Sequence, residues 1–172
     1  AVVDPLKLVI TNYEGGEEVD YESNPTDPAA GARPVTFGKV LYIERGDFSL
    51  DPPPKYHRLK IGGVARLKSA YIVRCDEAVT DEAGNVTEIH CTYLPESRSG
   101  HDTSGVKAKG VLHWVNAETC VDAVLKQYDH LLKDADYAGQ DFSERMNLDS
   151  EHVFSVKAEP YLAEAEEGTA FQ

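Results

Sequence analysis

The chain has 172 residues, 41% hydrophobic and 27% charged, which suffices for one domain or two small ones around a real apolar core. No apolar run approaches the ~18 residues that span a bilayer, and the opening Ala1-Val2-Val3-Asp4-Pro5 lacks the basic and apolar stretches of a secretion signal, so a cytoplasmic protein with no membrane partner is expected. Thirty acidic residues against 17 Lys and Arg give a formal charge of −13, which by itself argues against a nucleic-acid partner.

Strand signals dominate along the chain. Leu6–Asn12 alternates and then runs apolar, and Val35–Ile43 places Val35, Phe37, Leu41 and Ile43 about two apart. Ala65–Cys75 mixes Leu67, Tyr71, Ile72 and Val73 with basic residues, and Val86–Leu94 is rich in strand formers. Between these two, Thr80–Asn85 has turn chemistry, which predicts a β-hairpin. Val106–Val115 ends in a further strand. Ala117–Lys133 carries helix formers, yet Val121, Ala123, Leu125 and Gln127 alternate at period two, so helix and strand stay equally open on periodicity. Beyond Asp134 only Val153–Val156 and Tyr161–Leu162 suggest structure. Breakers fall at Asn24–Pro34, at Pro52-Pro53-Pro54 and in the polar loop Pro95–Ser104.

Cys75, Cys91 and Cys120 are odd in number and lack C-x-x-C spacing, so reduced, half-buried thiols are expected rather than zinc ligands or a disulfide framework. Cys75 and Cys91 are symmetric about Ala83 and would lie opposite each other in the predicted hairpin. No nucleophile elbow, P-loop or dinucleotide fingerprint occurs, and the carboxylates read as solvated surface charge. His113 reads as a core or edge histidine and Trp114 as a core anchor. The segment is therefore expected to carry no catalytic residue, no metal and no cofactor.

Charge is distributed unevenly. Glu14–Asp27 holds six acids and no base, and Asp134–Gln172 holds ten acids and two bases; Lys55–Arg74 holds six bases and no acid. In that basic segment Tyr56 stands between Lys55 and His57-Arg58, while Arg66 and Lys68 flank Leu67 and would project from one strand face. Interleaved aromatic and basic residues suit unpaired RNA, where rings stack on bases, arginine planes bond base edges and lysines meet phosphates. An ordinary solvated strand face has the same composition.

Five segments stand in an order that resembles one family: Ala1–Ile10, Ile43–Phe48, Tyr56–Leu59, Ala65–Tyr71 and Lys109–Val115. Together they resemble the C-terminal anticodon-binding region of the glutaminyl-tRNA synthetases, class I enzymes that join glutamine to its tRNA with ATP. The resemblance implies an all-β architecture of ribosomal protein L25-like β-barrels. Residues 1–172 would then be a fragment of that region, incomplete at its C-terminus, with the boundary between the two barrels not placed. It also implies strand over most of Ala117–Lys133, and two partners: glutamine tRNA through its anticodon loop, and a catalytic domain on the same polypeptide, where ATP would bind. By that resemblance Arg58 falls on the arginine used at the third anticodon nucleotide, Arg66 on the one associated with the first, and Lys68 on a second basic position of the same strand. Lys55 and His57 replace a glutamine and a lysine of the family, Thr26 replaces an asparagine, and Tyr56 lies between the first two. The rivals are the same region of a glutamyl-tRNA synthetase and a non-catalytic ribosomal, 5S RNA-binding or protein-binding barrel.

Overall fold

The computed structural model describes residues 1–22, 29, 31–133 and 141–170. Its centre is β1 (Pro5–Ile10), whose alternation sends Leu6, Leu8 and Ile10 inward with no exposed surface. On one side β1 pairs antiparallel with β4 (Val40–Glu44), Leu8 opposite Leu41. On the other it runs parallel to β7 (Val86–Tyr93), Leu8 opposite Ile89. The hairpin of β6 (Ile72–Thr80) with β7 forms as expected, and Cys75 does lie opposite Cys91. Both thiols are fully buried rather than half-buried, because their strand faces point into the core; Cys120 is partly exposed.

β6 continues to β5 (Val64–Leu67), and the sheet ends on one edge in β8 (Val111–Leu112) and on the other in β9 (Trp114–Asn116). These two edge strands are consecutive in the chain, with only His113 between them. A sheet whose opposite edges are joined by one residue must curl until those edges meet, so the seven strands form a nearly closed barrel. Trp114 fills it: fully buried, edge-on to Phe37 at 5.4 Å, with its indole N–H donating to the Lys68 carbonyl at 2.9 Å.

Two stretches expected as single strands are each divided. Val35–Ile43 spans the end of β3 (Ala32–Phe37) and nearly all of β4, separated by Gly38-Lys39. A side chain at Gly38 would meet the Asn116 amide at 2.8 Å, so the close approach of β9 requires glycine at this break. Ala65–Cys75 turns back at Ser69, which adopts φ 58°, making β5 and β6 a hairpin. The strand β2 (Glu17–Glu22) gives no warning in the acidic run; it pairs with β3 and buries Val19 and Tyr21 beneath its outward carboxylates.

Within Ala117–Lys133 the strand alternative holds. β10 (Val121–Tyr128) forms an antiparallel ribbon with β11 (Glu151–Ala158), over eight paired positions. The ribbon joins the barrel through a Val2–Lys157 bridge, and just past β11 the buried Glu159 carboxylate accepts from the Arg33 guanidinium of β3 at 2.7 and 2.9 Å. Arg33 lies between the rings of Tyr21 and Tyr161, 4.9 and 5.3 Å from their centroids. Among the described residues no helix is long and apolar enough to cross a membrane.

Candidate nucleic-acid interface

Three consecutive prolines hold the chain extended before Lys55, and the Tyr56 N–H donates to the Pro53 carbonyl at 3.2 Å, closing a turn in which Lys55 takes φ 66°. Lys55 and His57 are exposed on this loop, whereas Tyr56 is half-buried and its hydroxyl donates to the Gly46 carbonyl at 3.0 Å. Burial raises the Tyr56 phenol above its ordinary pKa. The loop is then pinned at Leu59, which is fully buried and hydrogen-bonds on both sides, its N–H to Asp47 and its carbonyl to Ser49. Pinning Leu59 inward turns Arg58 outward.

Arg58 Nη1 donates to the Val111 carbonyl at 2.8 Å, and its Nε lies 3.1 Å from Asp47 Oδ1. Burial raises the Asp47 carboxyl above the usual carboxylate range, with the Arg58 charge opposing that rise. The backbone of His57 also lies against Gly110, close enough that a side chain there would collide with the His57 carbonyl.

Arg66 and Lys68 come to the same seam from the barrel side. On β5 Ala65 and Leu67 face the core, so Arg66 faces away from it; its N–H donates to the Gly110 carbonyl and its register partner is Val111. Three of its five guanidinium N–H groups are engaged locally. Nη1 donates to the Ser97 carbonyl at 2.6 Å and to the Ser99 hydroxyl at 3.3 Å, and Nη2 donates to Asp102 Oδ2. Lys68 follows β5, with its N–H on the Leu112 carbonyl and its ammonium 4.5 Å from the Tyr21 ring centroid. β8 thus brings Arg58 and Arg66 together at Val111 and Lys68 to the next position, while Lys55, Tyr56 and His57 stand on the adjoining loop. Thr26 lies outside the described residues.

Sequence reasoning missed the carboxylates Asp47 and Asp102 and the ring of Tyr21, which engage the three basic side chains. No spacing rule links Arg66 to Asp102, 36 positions away. Gly110 was within reach, inside the Lys109–Val115 run.

At the other end of the seam, His113 is mostly buried and its Nδ1 shares a 2.7 Å hydrogen bond with the Tyr21 hydroxyl. Burial lowers its pKa to about 4, so the ring is neutral at pH 7; the same burial raises the Tyr21 phenol. It is a structural histidine at the join between β8 and β9, as expected of a core or edge residue.

The fold and seam define an all-β barrel that displays basic side chains beside its closing strand. Residues 1–94 and 111–172 match two family models, each described as the anticodon-binding domain of the class I tRNA synthetases for E and Q. The chain belongs to that family of anticodon-binding domains. Across its whole length it is 46% identical to the glutamine–tRNA ligases of Clostridium perfringens and Rhodopirellula baltica, and 41% to that of Nitrobacter hamburgensis. It spans 30–32% of the length of these relatives.

Proposed function

We propose that this chain reads the anticodon loop of glutamine tRNA as part of a glutamine–tRNA ligase, whose ATP-dependent attachment of glutamine takes place on a catalytic domain elsewhere on the same polypeptide, in the cytoplasm. The observation that carries this reading is the 46% identity to glutamine–tRNA ligases over 100% of the chain. The chain contributes binding: base-edge contacts select and phosphate contacts position. Arg58 reads the guanine that ends a glutamine anticodon, through the bidentate O6/N7 contact that gives about 1–3 kcal/mol of discrimination. Arg66 acts at the first anticodon nucleotide. Lys68, Lys55 and His57 meet the backbone, and Tyr56 offers the exposed part of its ring. The location of Arg58 and Arg66 at one backbone position, Val111, supports their acting on one loop.

The test is binding of the intact protein to a glutamine anticodon stem-loop and to one with its third anticodon base changed, at two salt concentrations. Preference for the native loop, lost in Arg58→Ala, is the expected result. Equal binding to both loops by the unsubstituted protein would overturn the third-base assignment and favour a glutamyl-type or nonspecific barrel.

A further inference from the structure

Arg66 is held chiefly by acceptors of the Pro95–Ser104 loop. Of its five N–H groups, the two on Nη1 are committed to Ser97 and Ser99 and one on Nη2 to Asp102, which leaves Nε–H and the second N–H of Nη2 without a partner among the described residues. Asp102 is itself fixed. Its Oδ1 accepts from the Ser104 N–H at 2.9 Å and from the Ser104 hydroxyl at 2.7 Å, and these bonds, with Arg66 adding, keep its pKa below the usual carboxylate range. Oδ1 therefore holds the loop while Oδ2 holds the arginine. The pair is about a quarter exposed on each side, 21% for Arg66 and 27% for Asp102, so it lies at the surface without being fully hydrated.

We propose that Asp102 is a positioning residue that sets base specificity at the Arg66 site. The proposal rests on the anticodon-reading role given to Arg66 above. A lone guanidinium is drawn to any phosphate within a Debye length of about 8 Å, and phosphates carry no sequence information. Pairing with Asp102 cancels that attraction. The Ser97 carbonyl and Asp102 together fix the guanidinium plane, so its two unspent N–H groups act from one orientation on a base edge. Asp102 thus lowers affinity for nucleic acid in general and raises the preference for one loop over another.

The prediction has opposite signs in two readouts, which loss of structure does not produce. Asp102→Asn keeps Oδ1 for Ser104 and replaces Oδ2 with an NH₂ that faces Arg66 donor to donor, so the loop stays and only the link to arginine is lost. In the intact protein, this variant is expected to bind stem-loops of any anticodon more tightly, with a salt slope steeper by about 0.7. Its preference for the native first anticodon base over a changed one is expected to fall about fivefold or more. Asp102→Glu, which restores the charge, should return the shallower slope and part of the preference. Arg66→Ala is measured beside them. If Arg66→Ala abolishes first-base preference while Asp102→Asn leaves preference and slope unchanged, the role of Asp102 is overturned and the anticodon reading stands. If Arg66→Ala leaves first-base preference intact, the Arg66 assignment fails and the proposal fails with it. Weaker binding to every loop by Asp102→Asn would also overturn it, since that is the mark of a purely structural residue.

Discussion

Replacing Gly110 by alanine tests whether the Lys55–Arg58 loop truly rests on the closing seam of the barrel. A Cβ at this position would lie 1.9 Å from the His57 carbonyl oxygen, 3.1 Å from its carbon and 3.7 Å from the Arg58 Cα. A tolerable carbon–oxygen contact is about 3.3 Å, so backbone must retreat by more than about 1 Å. Neither side yields freely. The Gly110 carbonyl accepts from the Arg66 N–H at 2.9 Å, and two residues beyond His57 the chain is pinned by the Leu59 hydrogen bonds at 2.9 and 3.1 Å. Overpacking costs about 1–3 kcal/mol and a lost backbone bond about 1 kcal/mol, which gives a destabilisation of about 3 kcal/mol. For a chain of this size that lowers Tm by about 6–12 °C. The Arg58 bond to Val111 should be lost with it, so affinity for the stem-loop should fall as well. Gly46→Ala is the control, because a Cβ there meets nothing within 4 Å and the change should leave Tm within about 2 °C. Thermal unfolding by circular dichroism decides it: a Gly110→Ala protein with unchanged Tm and unchanged RNA affinity would refute the packing of loop on seam.

Two further outcomes follow from the core. His113 is neutral in the fold with a pKa of about 4, so between pH 6.5 and 4 the unfolded chain binds more protons; stability is full above about pH 6.5 and declines by about 2–3 kcal/mol as the pH falls to 4. Urea titrations across that window should show the decline in the native protein and a flatter profile in His113→Gln; equal profiles would remove His113 as its cause. Trp114→Phe leaves the Lys68 carbonyl without its indole partner and opens space beside Phe37, so the denaturation midpoint should shift by the equivalent of about 2–4 kcal/mol. An unchanged midpoint would mean that the ring does not fill the barrel.

The barrel was legible where one face alternates over several residues. β1, the β6–β7 hairpin and the pairing of Cys75 with Cys91 all follow from period and symmetry in the sequence. Local signals failed where a turn lacks the usual turn residues and where a distant contact decides the backbone. Ser69 turns the chain without glycine, proline or an Asn-Gly pair, and the turn is held by the Leu67 and Ala70 backbone bonds. Val19 and Tyr21 stand two apart in β2, but the four acids of that strand read first as solvated charge and hide the alternation. Ala117–Lys133 shows the same conflict resolved by resemblance: helix formers yield to a ladder whose partner, Glu151–Ala158, lies some thirty residues further on. The basic residues of the candidate interface were legible as a charge run; their carboxylate partners were not, because Asp47 and Asp102 reach Arg58 and Arg66 only once the barrel closes.

That difference changes what the net charge of −13 means. Each arginine in the run from Lys55 to Arg74 meets a carboxylate: Arg58 with Asp47, Arg66 with Asp102, Arg74 with Asp76. Lys55 and Lys60 have no ion pair among the described residues, and Lys68 rests on Tyr21. The segment therefore divides by chemistry. Lysines, which act as point charges, keep the net positive charge that phosphates require, while arginines, whose planar forks distinguish base edges, are neutralised and oriented within the chain. Under the proposed anticodon reading, the acids that argue against RNA at the level of composition would act instead against indiscriminate RNA: those outside the seam would repel polyanions, and those at the seam would leave arginine only the contacts that a correctly placed base edge can make.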